Sequence, residues 1–267
     1  MIKVTVWNEF VQEQFDEAQA LKMIPGDDKA EIRKGMVART QEILQVHNGA
    51  IHNTLKDLLE EDEDIQVRHI CTLEMDECGL TKEVLDDTDV LVWWAHIAHD
   101  RVPDEIADRV RDYVLRGMGF IALHSAHPSK PMQKLLGTTG SLQWREGDFC
   151  RVWNTCPTHP IAKGIPASFE LEEEEMYGEF FDIPKPDDLV FISWYRGGEV
   201  FRSGCTWTRG YGKMFYFQPG HETNKSYFNE NVRKIIRNAV KWAEPTVRVD
   251  ELTCPHAEVS PESKYQK

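Results

Sequence analysis

Apolar residues follow two rhythms along the chain. Short, nearly unbroken apolar runs occur at IKVTVW (2–7), IQVRHICTL (65–73), DVLVWWA (89–95) and GFIALHSA (119–126). Runs of this length, rich in β-branched residues and without polar alternation, predict strands covered on both faces, as in parallel sheets. Between them lie helical stretches. One extends from about Ala30 to Glu61. Another is announced by VPDEIADRVRDYVLRG, with Pro103 in its first turn, acidic residues early, Val110 and Val114 on the apolar face and Gly117 past the end. The alternation predicts an α/β fold with a flavodoxin-like, doubly wound, mainly parallel sheet. After residue 140 the segments SLQWREGDFCRVWN, SFELEEEEMYGEFFDI, DLVFISWY, GEVFRSGCTWTRGYG and KMFYFQPG are short and punctuated by turn residues, which predicts antiparallel additions in the C-terminal half. A closing amphipathic helix over 229–244 puts Val232, Ile235, Ile236 and Val240 on one stripe. With no linker and no repeat, residues 1–245 read as a single domain and 246–267 as a polar tail.

Ligands of open parallel sheets bind beyond the carboxyl ends of the strands, where loops and helix N-termini converge. Asn8 and Glu9 follow the first run, His96 and His99 the third, His124, Ser125 and His127 the fourth, and His221 and Glu222 the last. Five of the ten histidines therefore stand just past a strand end, and His52 near the start of a helix facing the same edge. Neutral imidazoles and carboxylates bind divalent ions such as Zn²⁺, and they also act without metal as acid and base. Candidate metal ligands are His52, His96, His124 and His221. No H-E-x-x-H or C-x-x-C spacing selects the metal case. In the acidic run at 172–175 at least two carboxylates should be plain solvated surface. Glu175 and Glu179, flanking Tyr177, are the pocket candidates. Arg145, beside Trp144, is the basic residue best placed to meet a sugar hydroxyl.

Charge narrows the partners. The 267 residues carry 31 Lys and Arg against 45 Asp and Glu, a net −14. No basic cluster exists to displace counter-ions, so nucleic acid and anionic membrane are excluded as partners. The N-terminus lacks a signal-peptide pattern and no run of 18 apolar residues occurs, which predicts a cytoplasmic protein. The six cysteines are scattered and read as free thiols. The eight tryptophans suit a large core before they suit a sugar site. The aromatic strands and the tail from Val247 permit a homo-oligomer without requiring one.

Taken together, VWNEF (6–10), NGAIHNTL (48–55), WWAHIAHDRVPDEI (93–106), GMGFIALHSAHPSK (117–130), GTTGSLQWRE (137–146), HPIAKGIP (159–166), EEMYGEFFDIP (174–184), FISWYRGGEVFRSGCTWTRG (191–210) and KMFYFQPGHET (213–223) resemble the trehalose-utilization (ThuA-like) family over residues 2 to 244. That family is similar in fold to class I glutamine amidotransferases, which carry a cysteine nucleophile at a strand-to-helix elbow. Here the elbow reads Ala122-Leu123-His124-Ser125-Ala126, without cysteine and without the flanking glycines that favour a strained turn. Amidotransferase activity is therefore not expected.

The resemblance implies metabolism of trehalose or related disaccharides, including their 3-keto derivatives. The resulting expectation is an enzyme acting on a sugar or keto-sugar, a sugar isomerase, lyase or metal-dependent hydrolase. His124 and His221 would be acid/base or metal-ligating groups, Glu222 would orient His221, and Glu175 would be the second carboxylate. Asn8, Glu9, His99, His127, Trp144, Arg145, Tyr177 and Glu179 would contact substrate. A non-catalytic sugar-binding or regulatory protein on a degenerate amidotransferase fold is the rival.

Overall fold

The computed structural model describes residues 1–254 and 256–265. The four apolar runs become strands β1 (Ile2–Asn8), β2 (Ile65–Thr72), β3 (Val90–Trp94) and β4 (Gly119–Leu123). The C-terminal half supplies β5 (Gln143–Asn154), β6 (Ser168–Gly178), β7 (Asp188–Tyr195), β8 (Val200–Arg209) and β9 (Gly212–Phe217). All nine form one sheet in the order β2-β1-β3-β4-β9-β8-β7-β5-β6. The first five strands of that order are parallel, and from β9 outward to β6 each pairing is antiparallel. This is the doubly wound sheet with antiparallel additions expected from the sequence, with one correction. The final strand, β9, belongs to the parallel half, since Phe120–Leu123 pair with Met214–Phe217 in the same direction.

Helices α1 (Glu17–Met23), α2 (Ala30–Val46), α3 (Ile51–Leu59), α4 (Lys82–Asp86), α5 (Asp104–Leu115), α6 (Lys130–Leu136) and α7 (Glu230–Ala243) cover the sheet. The segment read as one helix over Ala30 to Glu61 is two, α2 and α3. Asn48 and Gly49 both take positive φ, 47° and 98°, a conformation that ends α2 and turns the chain. Pro103 precedes α5 as its cap, and the Asn229 side chain accepts from the Asn231 and Val232 N–H groups at the start of α7.

The core is aromatic. Trp7 and Trp93 stack across β1 and β3 with ring centroids 3.8 Å apart, and Trp7, Trp93 and Trp94 are all fully buried. The tryptophans of the parallel half are thus packing residues, whereas Trp144 is 62% exposed. Cys71, Cys78, Cys150 and Cys205 are buried free thiols. The start of the polar tail lies back on the domain, with the Val249 N–H donating to Arg116 O at the end of α5 (3.0 Å). Among the described residues no helix is long and apolar enough to cross a membrane.

Candidate active site

β1, β3, β4 and β9 end on the same edge of the sheet, and the residues that follow them close over one another. His124 immediately follows β4 with φ 50°, the left-handed region. A strained strand-to-helix elbow is therefore present despite the missing glycines, and histidine rather than serine or cysteine occupies its tip. A non-glycine residue pays about 1 kcal/mol there, so surrounding contacts must hold it. They do. His124 Nδ1 donates to Gln218 O just after β9 (2.8 Å), and its ring stacks on Tyr177 of β6. The Gln218 side chain donates to Glu175 O (2.9 Å) and accepts from the Tyr195 hydroxyl (2.6 Å). One glutamine thus fixes both His124 and the strand carrying Glu175.

Because Nδ1 holds the proton for Gln218, His124 Nε2 faces inward, 3.1 Å from Glu175 Oε2. His124 and Glu175 share this small buried volume with His221, and one ligating atom from each lies within 4.8 Å of the other two. Burial opposes the charge on His124, but contact with Glu175, reinforced by Glu174 and Glu222, outweighs it and raises the pKa above that of an ordinary histidine. For Glu175, burial raises and His124, His221 and His96 lower the pKa, with a net fall. His221 moves the other way: burial holds its pKa down despite the neighbouring Glu222. Its Nε2 meets Arg39 Nη2 (2.7 Å), and its Nδ1 is held by Thr223, whose hydroxyl and N–H lie 2.9 and 3.3 Å away.

A second pair adjoins the triangle. His96 Nδ1 donates to Gln12 Oε1 at 3.0 Å, and Glu222 Oε2 stands 3.1 Å away as a charge contact without an aligned hydrogen bond. Nδ1 therefore carries the proton, and Nε2, which has no hydrogen-bond partner among the described residues, keeps its lone pair. The His96 ring is 6.2 Å from that of His124 and 6.0 Å from that of His221. Glu222 is fully buried, yet its pKa lies well below that of an ordinary carboxylate; burial opposes this and His96, His221 and Arg39 overcome it. The expected orienting contact from Glu222 to His221 is corrected. Its Oε2 is 3.6 Å from His221 Nε2, and the carboxylate serves His96, Gln12 and Arg39 instead.

Above these groups opens a cleft of about 520 Å³. Gln12, Arg39, His96, Glu175, Tyr177, Ser141, Trp144 and Glu146 line it. His99 and His127 also line it. The His99 ring nitrogens are buried with no partner among the described residues, and burial lowers its pKa. His127 gives its Nδ1 proton to Gly140 O, and burial brings its pKa down to about 3. A larger hollow of about 830 Å³ lies along Glu170, Glu172 and Glu173, but no imidazole borders it.

Several candidates stand apart from the cluster for identifiable reasons. His52 is on α3, where its Nδ1 meets Asn8 Nδ2 (3.2 Å) and its ring packs edge-on to Phe10, away from His124 and His221. Asn8 is used internally, donating to Glu13 (2.7 Å). Glu9 accepts from the backbone N–H groups of His96, Ile97 and Ala98 (2.9–3.1 Å) and so shapes the loop after β3 rather than facing the cleft. Glu179 pairs with Arg202 (2.8 and 2.9 Å), and Arg145 pairs with Glu199 (2.7 Å) and Asp148. Neither lines the cleft.

Four residues escaped the sequence reading. Arg39 reaches from α2 to Glu222, His221 and Glu146. Glu174 is fully buried and accepts from Gly220 N (2.9 Å), His221 N (3.2 Å) and Ser226 Oγ (2.5 Å), fastening the loop that carries His221. Gly220, at φ 140°, lets that loop pass Tyr227, whose hydroxyl would stand 2.2 Å from a Cβ. Gln218 is the fourth.

The model of the ThuA family, described as trehalose utilisation, matches residues 3–243. No curated protein matches the sequence. Among solved structures, a ThuA-like protein from Parabacteroides merdae superposes with a TM-score of 0.62 at 14% identity, covering 93% of this chain and 92% of its own. One from Bacteroides uniformis gives 0.56 at 16%, covering 91% of each chain. A protein of Salmonella typhimurium described as cytoplasmic gives 0.52 at 13%, covering 72% of this chain and 87% of its own. At such identities the superpositions speak for the fold, and the family match over nearly the whole length carries the assignment: this chain belongs to the ThuA, or trehalose-utilisation, family.

Proposed function

We propose that the cleft binds a neutral disaccharide-derived keto-sugar and that the buried histidine–glutamate centre abstracts the proton next to its carbonyl. The observation carrying this reading is the His96–Glu222 pair. One ring nitrogen is fixed as donor by buried Gln12 with the Glu222 carboxylate beside it, and the other is left as a free lone pair on a residue that lines the cleft. That is the geometry of a general base with an orienting carboxylate. The His124–Glu175–His221 triangle stands about 6 Å away by ring centroids, where it would meet the charge that develops on the carbonyl oxygen.

In a 3-keto-sugar unit, His96 Nε2 would take the C2 proton, and the electron pair of the C–H bond would move into the C2–C3 bond as the carbonyl oxygen gains negative charge. Returning a proton at another carbon gives the isomer. Expelling the glycosidic oxygen from C1, with a proton delivered to it, gives elimination. Both outcomes share the first step. Trp144 at the rim offers an exposed ring for a sugar face, and Arg39, Gln12 and Ser141 offer polar groups for hydroxyls. The carboxylates in and below the cleft disfavour phosphorylated sugars. The test is turnover of 3-keto-trehalose, followed by NMR, in the wild type and in His96→Gln, His124→Ala and His221→Ala. Each substitution should lower kcat at least ~100-fold. Unchanged turnover in all three would refute the assignment, and saturable binding of a sugar returned unaltered would favour the non-catalytic rival.

A further inference from the structure

We infer that the His124–Glu175–His221 triangle is a binding site for one divalent first-row transition ion, with Zn²⁺ as its representative. The inference rests on the reading of this cleft as a reactive centre and names what fills the triangle.

Three observations converge. First, the donor set is right and preset. His124 gives its Nδ1 proton to a backbone carbonyl, the arrangement that aims the other nitrogen of a metal-bound histidine at its ion. His221 is held at Nδ1 by Thr223, and its Nε2 faces Arg39. Two imidazoles and one carboxylate suit a borderline ion such as Zn²⁺, and of the three Glu175 also lines the cleft.

Second, His124 Nε2 and Glu175 Oε2 are 3.1 Å apart, yet Glu175 Oε2 accepts no aligned hydrogen bond. Ligands roughly 2.0–2.2 Å from a common ion stand roughly 3 Å apart along an edge of its coordination shell. All three donors lie within 4.8 Å of one another.

Third, one buried carboxylate has no permanent cation. Glu175 and Glu222 are at most 4% exposed; Arg39 pairs with Glu222, and Glu175 faces only His124. A divalent ion would supply the missing positive charge. Glu9 and Glu174 add no demand, each being satisfied by three donors. Arg39 Nη2, now on His221 Nε2, sits on a side chain 30% exposed and has solvent into which to withdraw.

The test uses the whole chain, stripped with a chelator and titrated with Zn²⁺ by calorimetry, with Co²⁺ as a spectroscopic probe. The expected result is one ion per chain, d–d absorption typical of a low-coordinate cobalt site, and a rise in melting temperature. Glu175→Gln and His221→Ala should each weaken the affinity at least ~10-fold. No saturable binding to wild type would overturn the site, as would affinity unchanged in both variants. The cobalt spectrum is read on wild type and so remains decisive if a variant fails to fold. A stoichiometric ion with no turnover of a keto-sugar would sink the proposed reaction and leave the metal site standing. Turnover by demonstrably metal-free protein, without saturable binding, would do the reverse.

Discussion

Glu174 offers a demanding test, because it touches no substrate surface and yet holds the loop on which the site depends. Its carboxylate accepts from the N–H groups of Gly220 and His221 and from the Ser226 hydroxyl. In Glu174→Ala those three donors lose their acceptor in a fully buried position. Each orphaned donor costs about 1–3 kcal/mol, less whatever water entering the space restores, so the variant should lose about 3–6 kcal/mol of unfolding free energy. Glu174→Gln keeps the volume but turns an NH₂ towards donors, and should lose about 2–3 kcal/mol. Urea denaturation of the three proteins measures both values. Turnover should fall in parallel, since His221 and Glu222 follow Gly220 directly, and Km should change less than kcat. If both variants unfold within 1 kcal/mol of wild type, the claim that this carboxylate fastens the loop is wrong.

Other outcomes follow from the same geometry. Burial depresses the pKa of His47 from 6.5 to about 4, so the unfolded chain takes up a proton that the folded one refuses as pH falls from 6.5 to 4. That removes about 3 kcal/mol of stability over the window, and His47→Gln should show a correspondingly shallower acid destabilisation in denaturation curves taken between pH 7 and 4. His124, with its pKa raised, works in the opposite sense, stabilising below 6.5 and losing that contribution as pH rises through its folded value; it is common to both proteins and cancels in the comparison. At φ 50° alanine is strained and glycine is not, so His124→Gly should unfold about 1 kcal/mol later than His124→Ala in urea, against the usual order of the two residues. Trp144→Ala should raise Km about 10-fold at unchanged kcat if the exposed ring supports a sugar face, and steady-state kinetics would show it.

The parallel strands were legible because strands buried on both faces must be apolar throughout, and a ligand edge follows from where they end. The direction of β9 was not, because a strand's own pattern records burial and not the orientation of its partner. Glu174 and Glu175 illustrate a similar limit. A regular strand alternates, so a run of four carboxylates predicts one buried neighbour at most. The pairing of β6 with β5 is irregular around Asp148, and both residues turn inward while Glu172 and Glu173 stay exposed. The elbow at His124 carries no glycine or asparagine to signal positive φ; the contacts that hold it come from Gln218 and Tyr177, far away in sequence. Arg39 lies within a helix of ordinary composition, and its partners Glu146 and Glu222 are 107 and 183 residues distant. His52 does stand near the start of α3, but its ring is taken up by Asn8 and Phe10, contacts that helix position alone does not reveal.

The central claim, proton abstraction beside a sugar carbonyl by His96 held by Glu222, is tested most directly by solvent exchange. A 3-keto-disaccharide incubated with the protein in D₂O and read by ¹H NMR should lose its C2 proton signal to deuterium with wild type, before or along with product formation. With His96→Gln the exchange should fall to the background rate. Product formed with protium fully retained at C2, or equal exchange in wild type and His96→Gln, would contradict the account.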